Sequence, residues 1–255
     1  MKGLGRASSC WSHCRDISAG AKLFRYAPLP VLDSSVKFPA MAAPFPSFPD
    51  ARLADLADEI AQRRVSFFER ASNTCPSTLV EGLPALAAAA ALRSIGADEG
   101  TLWLAMEDSA VLVPVWNNGP DAERFVGQFR LPAAEGITGW VFSSGMASCE
   151  SEVCLNQKQN RQLDRSLNVL TWAMLAVPLR LVGERRGVMT AVRLIRLDTL
   201  PDLQRIPEAR ADFPPGFEPP DSFSVEDLAA VEVAAQMIGR LVDHRLTAWA
   251  MDWDE

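Results

Sequence analysis

The chain is poor in the residues that carry protons and metals. It holds two histidines, one tyrosine and four lysines in 255 residues. His13 and Tyr26 fall within the first forty, so the remainder keeps a single imidazole, His244, close to the C-terminal end of its last helical segment. A cation there suits the negative end of a helix dipole, an adequate structural explanation. A Ser-His-Asp or Cys-His arrangement would have to use it, far in sequence from every candidate nucleophile. Beyond residue 41 there is no phosphate-loop or dinucleotide glycine pattern, and no Cys/His/carboxylate cluster at metal spacing. No catalytic residue, metal ligand or cofactor is assigned.

Long apolar runs are missing too. The longest, Ala85 to Leu92, is far too short to span a bilayer. The first residues contain no apolar stretch of the kind a secretory signal needs. Positive charge is scarce: 25 Lys and Arg face 32 Asp and Glu, giving a net charge of −7 and a pI near 5.0. That balance argues against a nucleic-acid surface built on bulk positive charge. Five cysteines form no regular framework and fit a reducing compartment. The expectation is a cytoplasmic protein with neither a nucleic-acid nor a membrane partner. With 48% hydrophobic residues, the chain can build one full core with appendages or two small ones.

The first forty residues stand apart, with six basic side chains against two acidic ones, a net +4 that leaves −11 for the rest. Residues 1–49 read as a disordered basic and Pro-rich leader, with a transit peptide as the functional alternative and Met41 as an alternative start. Its Cys10, His13 and Cys14 are one ligand short of the four a structural zinc wants. From a cap at Asp50, Leu53, Leu56, Ile60 and Phe67 sit at helical spacing to about Ala71, although Arg63 interrupts the stripe. This helix, with its connector over 50–78, either packs on its own domain or forms half of a dimer interface.

Thr78 to Glu81 has capping-box spacing, but Pro84 moves the start of the alanine-rich helix nearer Leu83, with an end at Gly96. Gly100 to Met106 and Ala110 to Trp116 read as paired strands, and Pro114 places the second at an edge or a bulge. Leu131 to Gly145 is a Gly-rich turn feeding a two-turn helix. Ala173 to Val182 and Gly187 to Val192 are strands joined by a turn at Gly183-Glu-Arg-Arg. The polar stretch Asn156 to Asn168 is a loop or an exposed helix. Leu197 to Ser222, with six prolines, is no regular element and is expected to be mobile. Ser224 caps a long final helix with two apolar stripes, Leu228/Val231/Ala235/Ile238/Val242/Trp249 and Ala230/Val233/Met237/Leu241/Ala248. Residues 250–255 form an acidic tail.

Four blocks then occur in a familiar order. Glu135-Gly-Ile-Thr-Gly-Trp-Val141, Ala176-Val-Pro-Leu179, Arg186-Gly-Val188 and Phe223-Ser-Val-Glu-Asp-Leu228 resemble those of a GAF domain, over roughly Leu79 to Leu246. The resemblance implies an α+β fold, a central antiparallel sheet with N- and C-terminal helices packed on one face and a ligand pocket on the other. Such a domain would span 79–249, with a Pro-rich insertion at 197–222 and the 156–168 stretch as a helix or lid over the ligand. It implies sensing rather than catalysis.

Two branches of that family are matched only in part. The free methionine sulfoxide reductases place a cysteine in the Gly-rich turn where this chain has Ile137, which weakens a redox reading of Cys149 and Cys154. Cyclic-nucleotide binders show Asn-Lys, Phe and Asp-Glu. Here Arg193-Leu194 replace the first pair, Phe223 and Asp227 match, and Leu228 replaces the last Glu. No Cys-His pair for covalent bilin attachment is found.

The pocket expected from the resemblance is aromatic. Trp103, Trp116, Trp140 and Trp172 each combine large apolar area with one donor. With Thr138, Cys149, Asn156, Asp164 and Thr171, they are the candidate ligand-binding residues, and Arg161 lies nearby. The expected function is a small-molecule-sensing regulatory GAF module that acts in signal transduction through a partner protein and dimerises through its terminal helices. The alternatives are an interaction scaffold whose pocket is filled by its own side chains and, with less support, a cysteine-based methionine sulfoxide reductase.

Overall fold

Two strands of thirteen residues each, β5 (Val169–Leu181) and β6 (Glu184–Arg196), form the hairpin on which the other elements are laid. The computed structural model describes residues 54–106, 108–200, 207 and 209–251. Expectations for the leader, for Cys10, His13 and Cys14, for the Asp50 cap and for the tail beyond residue 251 lie outside the described residues. The chain divides into Met1–Ala57 and Asp58–Glu255, and the sheet lies within the second unit.

The sheet has six strands in the order β3-β2-β1-β6-β5-β4, with every pairing antiparallel. The outer members are β1 (Glu99–Met106), β2 (Val111–Asn117), β3 (Leu131–Pro132) and β4 (Ser148–Glu150). Pro114 has no N–H to give, and the pairing slips there, with Leu102 opposite Trp116 and Trp103 opposite Pro114. The bulge expected at that proline is present.

One face of the sheet is covered by helices. These are α1 (Ala54–Thr74), α2 (Leu83–Ser94) and α6 (Val225–Ala250). Pro84 sits in the first turn of α2, where a missing N–H costs nothing. Val231, Ala235, Ile238, Val242 and Leu246 of α6 pack with Leu92 of α2 on Leu102, Leu175, Leu179, Met189 and Ala191 of the strands. The second α6 stripe is left outside, with Val233 and Met237 exposed. On α1, Phe67 meets Trp249 at 6.3 Å and Arg64 pairs with Asp243 at 3.2 Å. Arg245 holds the connector by donating to the carbonyls of Thr78, Leu79 and Glu81 at 2.6, 3.2 and 2.8 Å. Among the described residues no helix is long and apolar enough to cross a membrane.

Two expectations are corrected. The β5–β6 turn is Val182-Gly183, not the four residues from Gly183, and Glu184, Arg185 and Arg186 belong to β6. Both turn residues have positive φ, 53° and 78°, the geometry that matches strand twist in a two-residue hairpin. A β-branched residue resists that region, so nothing in the sequence marks Val182 as a turn. Its N–H is held by Asp243 Oδ1 of α6 at 2.8 Å. The other correction concerns the Pro-rich segment, expected to hold no regular element: its described part contains two 3₁₀ turns, Leu197–Thr199 and Arg210–Asp212. Phe213 is buried edge-on against Trp172 at 5.9 Å, Phe217 stacks on Phe213 at 4.6 Å, and Arg210 pairs with Glu152 at 2.6 Å. The two phenylalanines supply the apolar surface that proline content obscures.

Helix and sheet approach closely at Gly239 of α6, where an added Cβ would run into the Arg180 carbonyl oxygen of β5. The obstacle is backbone and cannot swing away. Gly239→Ala is therefore expected to lower stability by about 1–3 kcal/mol. Denaturant unfolding indistinguishable from wild type would show that α6 and β5 do not meet at this point.

Candidate functional site

The other face of the sheet carries a cavity of about 80 Å³. Its floor follows from strand alternation. Glu99, Thr101 and Trp103 of β1, and Thr190, Val192 and Leu194 of β6, project to this side. The pairings Glu99–Val192–Met174 and Thr101–Thr190 set them in rows. On β5 the pattern is broken between Thr171 and Ala173, where one extra residue is accommodated. The bulge turns Thr171 to the cavity and leaves Trp172 in the core under the helices.

The roof is built by three short helices and the loops around them. They are α3 (Ala122–Phe125), α4 (Gly136–Ser144) and α5 (Gln162–Leu167). Phe125 and Phe129, then Ile137 and Thr138, then Asn160, Leu163 and Asp164 close the space. The Gly-rich turn has two distinct jobs. Gly136 and Gly145 bracket α4 with φ of 69° and 72°, which side chains resist. Gly139 lies inside the helix and matters for space, since a Cβ there would sit 2.8 Å from the Ala133 carbonyl oxygen. Arg185 of β6 caps the far end by donating to the Ser143 carbonyl at 3.0 Å. Asn160 ties α5 to the start of α4 through Glu135 Oε2 at 2.9 Å.

The polar groups facing the cavity are already arranged. Asp164 is buried and accepts both the N–H and the hydroxyl of Thr171, at 2.9 and 3.0 Å. Burial pushes its carboxyl above the ordinary carboxylate value, against the lowering effect of those two bonds and of Arg161. Glu99, at the opposite end of the floor, is likewise raised by burial, with its bond to Asn117 pulling the other way. The Trp103 indole donates to the Thr190 hydroxyl at 3.1 Å, and Asn117 donates to the Thr101 hydroxyl at 2.9 Å.

Of the candidates taken from the sequence, Trp103, Thr138, Asp164 and Thr171 come together at this cavity. The rest are placed elsewhere. Trp116 packs at the edge of the helix-side core, and Trp140 stands on the outer side of α4, 47% exposed. Trp172 lies across the sheet beneath Phe213. Asn156 ends the 3₁₀ turn Val153–Leu155 and accepts the Lys158 N–H at 2.9 Å. Cys149, opposite Leu175 on β4, faces the helices, its thiol 3.6 Å from the Phe223 carbonyl. Cys154 is buried in the helix-side core, where burial pushes its thiol up to about 11. Glu99, Thr101, Asn117, Phe125, Phe129, Met174 and Thr190 were missed. For Glu99 and Thr101 a signal existed, because Glu99-x-Thr101-x-Trp103 is a period-two row that shares Trp103's face.

The blocks noted in the sequence now have places. The Gly-rich block forms α4 over the cavity, the Ala176 and Arg186 blocks form the central hairpin, and the Phe223 block caps the long helix on the opposite face. The fold is that of a GAF domain. No family model and no curated protein matches the sequence. Solved GAF structures overlap most of the chain at low identity. The GAF domain of a phosphoenolpyruvate-protein phosphotransferase from Coxiella burnetii is 14% identical over 76% of this chain and 99% of its own, with a TM-score of 0.49. The GAF-B domain of DevS from Mycobacterium smegmatis is 19% identical over 69% and 98%, with a TM-score of 0.46. The free methionine-R-sulfoxide reductase of Neisseria meningitidis, solved with its substrate, is 16% identical over 80% and 98%, with a TM-score of 0.42. Function therefore has to be read from this chain's own residues.

The half-kept cyclic-nucleotide signature has structural employment in this fold. Arg193 stacks over Phe223 at 4.8 Å on the helix side and donates to the Ile95 carbonyl at 3.2 Å. Asp227 and Ser224 exchange the two bonds of a capping box, at 2.9 and 3.1 Å. Of the signature positions only Leu194 lines the cavity; Arg193, Phe223 and Asp227 do not.

Asp164 gives a test of the site's electrostatics. Its folded carboxyl holds a proton to higher pH than the unfolded one does. The stability this confers is fully present below the ordinary value of 3.8 and is lost as pH rises through the raised value. Asp164→Asn keeps an acceptor for the Thr171 N–H but cannot ionise. Whatever its stability in acid, the variant is expected to gain on wild type between pH 3.8 and neutrality. A stability difference that stays flat across that range would show that the carboxyl ionises freely.

Proposed function

We propose that the chain is a regulatory GAF module that binds a small molecule in the cavity between sheet and roof and signals through a partner protein. The cavity itself carries this reading. Large side chains stand around it, yet they leave about 80 Å³ open between a polar-lined floor and a roof of short helices. Such space is normally closed by evolution when it serves nothing, since unfilled volume weakens a fold. The scaffold alternative, in which the chain's own side chains fill the pocket, fits less well for the same reason.

Binding rather than catalysis is proposed. Methionine sulfoxide reduction, the activity named for the Neisseria meningitidis neighbour, would need a thiolate near the bound substrate. Cys149 and Cys154 both stand on the other side of the sheet, and burial raises both thiols. The cysteine content and acidic charge favour a cytoplasmic setting.

The ligand reading is tested by native mass spectrometry of the purified protein, together with a small-molecule thermal-shift screen. Thr138→Phe, which fills the cavity from α4, is expected to remove any adduct and any ligand-dependent rise in Tm while leaving the unliganded protein folded. Adducts and shifts that survive the substitution would place the ligand elsewhere.

Output through association is the second part of the proposal. Val233 and Met237 on α6, and Leu83 and Leu86 on α2, are large apolar side chains in water. Burying each would contribute about 1.5–3 kcal/mol, and symmetric pairs are the commonest assemblies. A homodimer through these helices is expected to dissociate in Met237→Glu, followed by sedimentation at several concentrations. A wild-type chain monomeric at high concentration removes this part. Val242, on the other stripe of α6, is fully buried in the domain's own core.

A further inference from the structure

The cavity has a definite charge preference. Two carboxylates, Glu99 and Asp164, face it, and among the described residues no lysine, arginine or histidine lines it. Its apolar wall is largely aromatic, from Trp103, Phe125 and Phe129. Trp103 and Phe129 meet edge to face at 6.2 Å, a rigid corner rather than a mobile one. Cationic side chains exist nearby but act from outside. Arg161 lies beside Asp164, and Arg196 beside Glu99, where Asp98 and Asp121 oppose it. Arg124 of α3 is paired with Asp121 at 2.9 Å.

We infer that the ligand is a small organic cation, a protonated amine on a compact apolar body, with Glu99 as its counter-charge. The inference rests on the ligand-binding reading above and adds the chemical class. A carboxylate and aromatic faces lining one cavity suit the recognition of an ammonium group on an apolar body. Asp164 is committed through both oxygens to Thr171 and fixes the negative potential at the α5 end. Glu99 has one lowering partner within the cavity wall, Asn117, and is the carboxylate left to meet a ligand. An anion would meet two carboxylates with no lining cation to offset them. Size points the same way. At about 10–15 Å³ for each water-sized probe, 80 Å³ has room for a compact ligand of several heavy atoms.

Three probes of nearly equal shape and different charge test this: benzylamine, benzyl alcohol and benzoate at neutral pH. Binding is read from the indole N–H resonance of Trp103, assigned with Trp103→Phe, because that group lines the cavity and is held by Thr190. Benzylamine is expected to bind about tenfold more tightly than the alcohol, and benzoate not to bind. Glu99→Gln should bring the amine down to the level of the alcohol without changing the alcohol's affinity. Equal binding of amine and alcohol, binding of benzoate, or an amine preference that survives Glu99→Gln overturns the inference. If such binding is lost in Thr138→Phe, the ligand reading stands and only the charge assignment falls. Failure of all three probes also overturns the inference. The native-mass result then decides the wider reading: an adduct removed by Thr138→Phe preserves it, and its absence takes both down.

Discussion

The alternation of side chains along β6 constrains everything else in this domain. β6 is paired on both edges, to β1 and to β5, so no residue on it can slip without moving both neighbours. Met189, Ala191 and Ile195 go under the helices, while Thr190, Val192 and Leu194 form the middle of the cavity floor. A shift of one residue would exchange the two sets and put threonine in the core. The register is anchored at the hairpin end by α6, where Asp243 accepts the N–H of the strained Val182 and also pairs with Arg64. One carboxylate thus joins the turn, the last helix and the first.

This two-sided burial also sets the limit of what the sequence discloses. An antiparallel strand with one wet face shows its orientation through polar residues at every second position. β6 is apolar or small on both faces from Val188 to Val192, so the strand is legible and its pocket side is not. The Gly-rich turn was legible because few residues substitute for glycine at Gly136 and Gly145, and the order of the four blocks named the fold. The bulge at Trp172 was not. Strict alternation would put Thr171 on the same face as Ala173, and only the extra residue sends the threonine to the cavity. Tryptophan content pointed at four residues, of which one, Trp103, reached the site. Size and a donor mark a tryptophan as useful but do not say which way its strand faces.

The roof was hidden for a different reason. α5 has six residues, too few to hold a helix by its own hydrogen bonds. Its place depends on Asp164 reaching the N–H and hydroxyl of Thr171 and on Asn160 reaching Glu135, contacts that exist only once the sheet is formed. Composition shows a polar stretch there and nothing more. The Pro-rich segment misled in the opposite direction. Its prolines leave room for two short 3₁₀ turns, Leu197–Thr199 and Arg210–Asp212, and Phe213 and Phe217 still cover Trp172.

The hydroxyls on the cavity side explain how the space stays open without collapsing into a fully apolar core. Thr101, Thr138, Thr171 and Thr190 stand where valine would fit with nearly the same shape. Three of these hydroxyls are engaged by neighbours: Thr190 by Trp103, Thr101 by Asn117 and Thr171 by Asp164. Those bonds orient an indole, an amide and a carboxylate along the walls, which valine could not do. At about 24 cal/mol per Å³, an empty volume of 80 Å³ would cost about 2 kcal/mol. Polar walls lower that cost because water can occupy the space. The same walls make water replaceable by a ligand that satisfies them. The floor therefore trades core stability for a defined set of polar contacts along the cavity walls.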